Sequence, residues 1–288
     1  MTNCKKMYVL PQLEPITFER VQALQQLPVD QTRRKCFEKS GIQERKARPT
    51  FSVNFQESIK AIYEAMMLPY GFELQYSNTL HNYWHYVKKE DIEKIKEWER
   101  GQGSRMFIRD NLSISIALAS YSTDPAEHHR TTIGELVYQA KYQGNADAIQ
   151  GLAGRCVETI RSLPYYRKAQ CICAVPPSST KTRRDLPSEI TALVAKELEI
   201  ENITSNFKYH GTKPELKGLK LEEKWPGLKA ADLRYEGKKL NGKKVILVDD
   251  LYQSGTTMQF VGMKLHEAGA HHVYGLSMAK NLSDDDNQ

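Results

Sequence analysis

Asp249 and Asp250 stand side by side directly after the apolar run Val245-Ile-Leu-Val248, and the turn Gln253-Ser254-Gly255-Thr256-Thr257 follows within three residues. A short apolar run of this kind reads as a buried parallel strand. Met258, Val261, Leu265 and Ala268, stopped by Gly269, read as a helix. A small, hydroxyl-bearing turn between strand and helix aims successive backbone N–H groups and a helix N-terminus at one point. That arrangement suits a phosphate dianion. Carboxylates just ahead of the turn can accept hydrogen bonds from sugar hydroxyls. Phosphate beside a diol is the pattern of a ribose 5-phosphate.

A second polar loop follows a second apolar run. Cys171 to Val175 reads as a strand, and Pro176-Pro177-Ser178-Ser179-Thr180-Lys181 continues from it. Taken alone this loop also reads as an ordinary turn. Beside the acid pair, it is a candidate pyrophosphate cradle over Pro177 to Lys181: Ser178, Ser179 and Thr180 would supply backbone N–H groups and hydroxyls, and Lys181 a cation. Arg183, Lys213 and Lys217 are candidates to close over it, against the plainer reading of solvated surface cations.

The stretch Val245–Thr257 resembles the phosphoribosyl-diphosphate (PRPP) signature of the type I phosphoribosyltransferases. Gln253 stands where that pattern usually has Thr, Ala or Asp. The second half of the chain, about residues 130–280, is similar to the competence-protein-F-like branch. Lys141-Tyr142-Gln-Gly144 matches its Lys-Tyr-x-Gly turn, whereas its basic Arg-x-x-Gly-Phe-Asn-Gln stretch survives only as Arg183-Arg184-Asp185-Leu-Pro-Ser-Glu189. The zinc-binding cysteines usual at that branch's N-terminus are missing.

The resemblance implies displacement of diphosphate from carbon 1 of PRPP by a nitrogen acceptor, or its reverse from a nucleoside monophosphate, through a transition state with oxocarbenium character. It assigns Asp249 and Asp250 to the ribose diol and to magnesium, and Gln253, Ser254, Gly255, Thr256 and Thr257 to the 5-phosphate. Gln253 cannot titrate, so a base at this position is absent and a hypoxanthine or guanine salvage enzyme is disfavoured. Lys280 is a candidate acceptor contact. The alternative is a PRPP- or nucleotide-binding regulator with weak turnover, or a component of a nucleic-acid-handling system for DNA uptake or defence.

These residues need a scaffold. The alternation of strands and helices over 128–288 predicts an α/β domain, a parallel-sheet phosphoribosyltransferase core. Residues 1–127 are expected to form a mixed accessory region of separate role, with a helix opened by Asn54 and an aromatic cluster at Tyr76, Tyr83, Trp84, His85 and Tyr86. Lys208 to Lys229, rich in Gly, Pro and charge, reads as a loop. His271 and His272 read as caps of the preceding helix.

Composition narrows the class. Of 288 residues, 40% are hydrophobic, enough for a core, and the net charge is +6. Arg33 to Arg48 holds seven Lys/Arg against two Glu. It reads as a solvated basic segment or, less directly, as a nucleic-acid contact. The five cysteines match no disulfide or zinc spacing. Cys171 and Cys173 should share one face of a strand as buried thiols. With no signal peptide and no membrane-length apolar run, the expected compartment is the cytoplasm. A homodimer or a subunit of a complex both remain open.

Overall fold

The structure, a computed structural model, describes residues 8–28, 33–38, 42, 48–124, 129–177, 184–212 and 218–282. In chain order the first part gives α1 (Phe18–Gln25), β1 (Arg34–Cys36), β2 (Thr50–Val53), α2 (Ala61–Met67), β3 (Gln75–Ser77), β4 (Asn82–Tyr86), α3 (Ile92–Gln102), β5 (Met106–Ile108) and β6 (Ile114–Ser120). The second gives α4 (Thr132–Tyr138), α5 (Ala146–Ser162), β7 (Cys171–Ala174), α6 (Leu186–Leu198), β8 (Glu201–Asn202), β9 (Phe207–Tyr209), α7 (Leu221–Ala230), β10 (Leu233–Tyr235), β11 (Lys244–Tyr252), α8 (Thr256–Glu267) and β12 (His272–Lys280).

A seven-stranded sheet in the order β1-β5-β6-β12-β11-β7-β8 organises the α/β fold. From β6 to β8 neighbouring strands are parallel, while β5 and β1 add on antiparallel. The sheet is therefore mixed and mostly parallel. It runs across residue 127: β1, β5 and β6 precede that point in the chain and the other four strands follow it. The strand β6 is buried on both faces because it is an inner strand, covered on both sides like the rest of the parallel core.

Helices cover both faces. Ile133, Val137, Leu152, Cys156, Leu186 and Ile190 from α4, α5 and α6 pack with Ile246 and Val248. On the other face Val21, Trp225, Leu228, Met258, Val261 and Leu265 from α1, α7 and α8 pack with Val245 and Leu247. Cys171 and Cys173 both point to this second face, and burial, with Cys171 adding to it, pushes the Cys173 thiol far up, so it is an inert core residue.

Two sequence expectations give way here. Lys208 to Lys229 is not a loop throughout: β9 and α7 occupy most of its described part. Leu221, Trp225 and Leu228 are buried, an i, i+4, i+7 stripe that outweighs Pro226 within the helix. Glu223 accepts from the Lys220 N–H at 3.1 Å, closing the helix start. The histidines do not cap α8 either. That helix ends at Glu267. His272 opens β12, where burial pushes its imidazole down to about 4.

The aromatic segment forms the three-stranded sheet β2-β4-β3. His85 is buried, 2.6 Å from the Tyr63 hydroxyl, and Phe51 stacks on Tyr63. Tyr76 and Tyr86 stay exposed. Among the described residues no helix is long and apolar enough to cross a membrane.

Candidate functional site

β11 delivers the acid pair to the carboxyl edge of the parallel sheet, beside the end of β7. The strand continues through Tyr252, then turns at Gln253–Gly255 into α8. Gly255 is the N-cap with φ +73°, and a Cβ there would run into the Tyr252 hydroxyl. Only glycine meets both demands. The first N–H groups of α8 have no intrahelical acceptors and face the turn.

Asp249 and Asp250 do not act as a matched pair. Ile246 and Val248 belong to the face covered by α4 to α6, and Val245 and Leu247 to the other. Alternation therefore sends the two neighbouring carboxylates to different sides. Asp250 is buried and forms an ion pair with Lys141 at 2.5 Å. Burial alone lowers the lysine's affinity for its proton. The Asp250 charge and hydrogen bond, with Asp249 beyond, outweigh this and hold the ammonium above the ordinary lysine range. Asp249 is half-buried, and its Oδ1 accepts from the Asp250 N–H at 2.9 Å.

Lys141 reaches Asp250 from a π-helical turn, Gln139–Gln143, that ends at Gly144 with φ +65°. Arg184 donates to the Gly144 carbonyl at 3.2 Å and to both Glu189 oxygens at 2.7 Å. Three segments noted separately in the sequence, Lys141–Gly144, Arg183–Glu189 and Asp249–Asp250, thus meet at one edge of the sheet.

The other side of the turn is held from the first part of the chain. The Gln25 amide donates to the Ser254 carbonyl at 3.2 Å and to Thr256 Oγ1 at 3.3 Å. Ser254 and Thr256 hydroxyls lie 3.0 Å apart. Lys280 donates to the Gln253 carbonyl at 3.1 Å. Gln259 accepts from the Asn111 backbone and side chain at 3.0 and 2.8 Å. Tyr252 donates to Asp110 at 3.0 Å. Burial pushes the Asp110 carboxyl up to about 6, despite the donors around it.

Thr257 sits in the first turn of α8, and Pro177 lies exposed just past β7. Ser178, Ser179, Thr180, Lys181, Arg183, Lys213 and Lys217 lie outside the described residues. Lys39, Arg45 and Lys46 of the basic segment also lie outside the described residues. Arg33 and Arg34 turn towards Gln253 and Ser254, and burial lowers the Lys35 proton affinity. Sequence reasoning missed Gln25, Arg109, Asp110, Asn111 and Gln259. The one local signal was a glutamine at 259 on the apolar side of a helix.

No family model matches the chain, and no curated protein is similar to it. Among solved structures it is similar to a hypothetical protein from Neisseria gonorrhoeae with bound ppGpp, over 48% of this chain and 70% of that one, at 17% identity and a TM-score of 0.31. A likeness at that score assigns neither fold nor ligand.

Proposed function

We propose that the carboxyl edge of β11 binds the phosphorylated pentose of PRPP or a nucleoside monophosphate and transfers phosphoribose to or from a nitrogen acceptor. The observation that supports this most is the Lys141 turn, held at Gly144 by Arg184 and ion-paired to Asp250, next to a glycine-capped helix start. The N–H groups of Gly255 to Thr257 and the hydroxyls of Ser254 and Thr256 would hold the 5-phosphate. Asp249 would accept from the ribose hydroxyls. Asp250 and Lys141 fix the floor beneath it, and the Ser178–Lys181 loop would take the leaving diphosphate.

Magnesium fits this donor set in one form. No group of three or more His, Cys, Asp or Glu gathers among the described residues. Asp250 is held by Lys141 on the other side of the strand, so Asp249 with water and substrate oxygens would hold this ion, which seldom occupies an all-protein cage. When bound it would neutralise charge on the diphosphate. The protein's own contribution is to orient the sugar and to stabilise charge as the bond at carbon 1 lengthens.

A second reading, a regulator that binds PRPP without turnover, draws support from Gln253, which cannot remove a proton, and from the commitment of Asp250 to Lys141. Pyrophosphate release across a panel of nucleobases decides between them. Release with any base supports the transferase. Retained PRPP binding with no release supports the regulator.

A further inference from the structure

Behind the turn lies a small recess lined by Gln25, Arg33, Arg34, Ile108, Arg109, Tyr252, Gln253, Ser254 and Lys280. Four cations share it. Arg33 and Arg34 come from β1 and its approach, Arg109 from the end of β5, and Lys280 from the end of β12. Two carboxylates are close. Glu57 contacts Arg109 at 3.2 Å, and Asp110 is buried under the Tyr252 hydroxyl. Arg34 also donates to the Leu282 carbonyl at 3.3 Å, and Lys280 to backbone carbonyls of the turn and of Asn281. Among the described residues cations outnumber carboxylates here, and Lys280 is only 5% exposed. Like charges gathered in a low-dielectric cleft repel one another and raise the local concentration of anions.

Size restricts what can enter. The recess holds about 30 Å³, room for two or three waters at roughly 10–15 Å³ each. A nucleobase does not fit, but a small oxyanion head does. Planar guanidinium groups match carboxylate and phosphate oxygens in pairs.

We propose that this recess is an anion subsite that receives a single carboxylate or phosphate head on the molecule lodged at the turn. The proposal rests on the pentose-binding reading for the rest of that molecule, and it makes the acceptor an acidic one. The ligand's ring or sugar would stay outside, near Ser254, with its charged head among the arginines.

Calorimetric titration of the full chain at low ionic strength tests this, using inorganic phosphate and acetate as separate probes. Phosphate or acetate should bind, and the tighter of the two names the head group. Binding should weaken roughly tenfold or more in the Arg33→Gln/Arg34→Gln variant, since each charge-assisted contact is worth about a factor of ten or more. It should return in Arg33→Lys/Arg34→Lys and fade with added salt. Should the glutamine pair not fold, Arg109→Gln carries the same expectation. Equal anion affinity in wild type and the glutamine variant, or no binding of either probe, overturns the subsite. The two readings fail separately. Arginine-dependent phosphate binding without any PRPP binding would overturn the pentose reading and leave an anion site. PRPP binding with arginine-independent phosphate binding would overturn the recess alone.

Discussion

Asp250 and Asp110 lie on either side of the same strand end, both buried, in opposite electrostatic surroundings. Asp250 faces a lysine ammonium at 2.5 Å. Among the described residues Asp110 meets neutral donors, the Ser115 and Tyr252 hydroxyls and the Leu112 N–H at 2.9 Å, with the Glu57 charge beyond. Burial therefore dominates at Asp110 and lifts its carboxyl to about 6, whereas at Lys141 the Asp250 charge and hydrogen bond, with Asp249 beyond, together outweigh burial and raise the lysine. The difference teaches that at equal depth a partner of opposite charge, rather than burial alone, sets the electrostatics of a buried group. The candidate site uses the paired one as a fixed floor. The neutral-donor one props the turn from behind.

Removing the cation should have the largest effect. Lys141→Met leaves Asp250 buried without its counter-charge and should cost about 3 kcal/mol in chemical denaturation. Adding Asp250→Asn should recover most of that loss, and a double-mutant cycle reads the coupling. Additive losses would break the comparison.

Next comes the other carboxylate. Its rise from the ordinary 3.8 to about 6 is worth roughly 3 kcal/mol. A raised acid favours the fold when protonated, so this stability is full below about pH 3.8 and is lost as the pH climbs through about 6. His272, pushed down from 6.5 to about 4, works the other way, losing stability as the pH falls through that window. Asp110→Asn should then raise stability at pH 8 by roughly 2 kcal/mol. It should also leave a curve that climbs from pH 4 to 6.5, where the wild type is flatter. Melting temperatures across that range check both.

The smallest of the three is Tyr252→Phe. It removes one donor to Asp110 and should cost about 1.5 kcal/mol at pH 8, with the Asp110 titration moving higher. A shift to lower pH would mean that the hydroxyl favours the neutral acid.

How much of this could be read in the chain depended on distance along it. Val245 to Val248, the turn and α8 were readable because strand, acids, glycine and apolar helix stripe occur within 25 residues. The same holds for the shared face of Cys171 and Cys173. Trp225 in α7 was hidden by its Gly and Pro neighbours, although its stripe with Leu221 and Leu228 was present. The partners of the turn left no local trace. Lys141 and Asp250 are 109 residues apart, and Asp110 and Tyr252 are 142 apart, so only the sheet order β5-β6-β12-β11 brings such groups together. That order also explains why a split at residue 127 follows the sequence pattern yet cuts through the sheet.

The most direct test of the pentose-binding claim is a calorimetric titration of PRPP with magnesium into the wild type and Asp249→Asn. Asp249 is half-buried and outside the Lys141 pair, so the variant should keep its melting temperature. Measurable binding to the wild type, weakened more than about tenfold in the variant, is the predicted result. Equal affinity in both proteins, or no binding to the wild type, would contradict it.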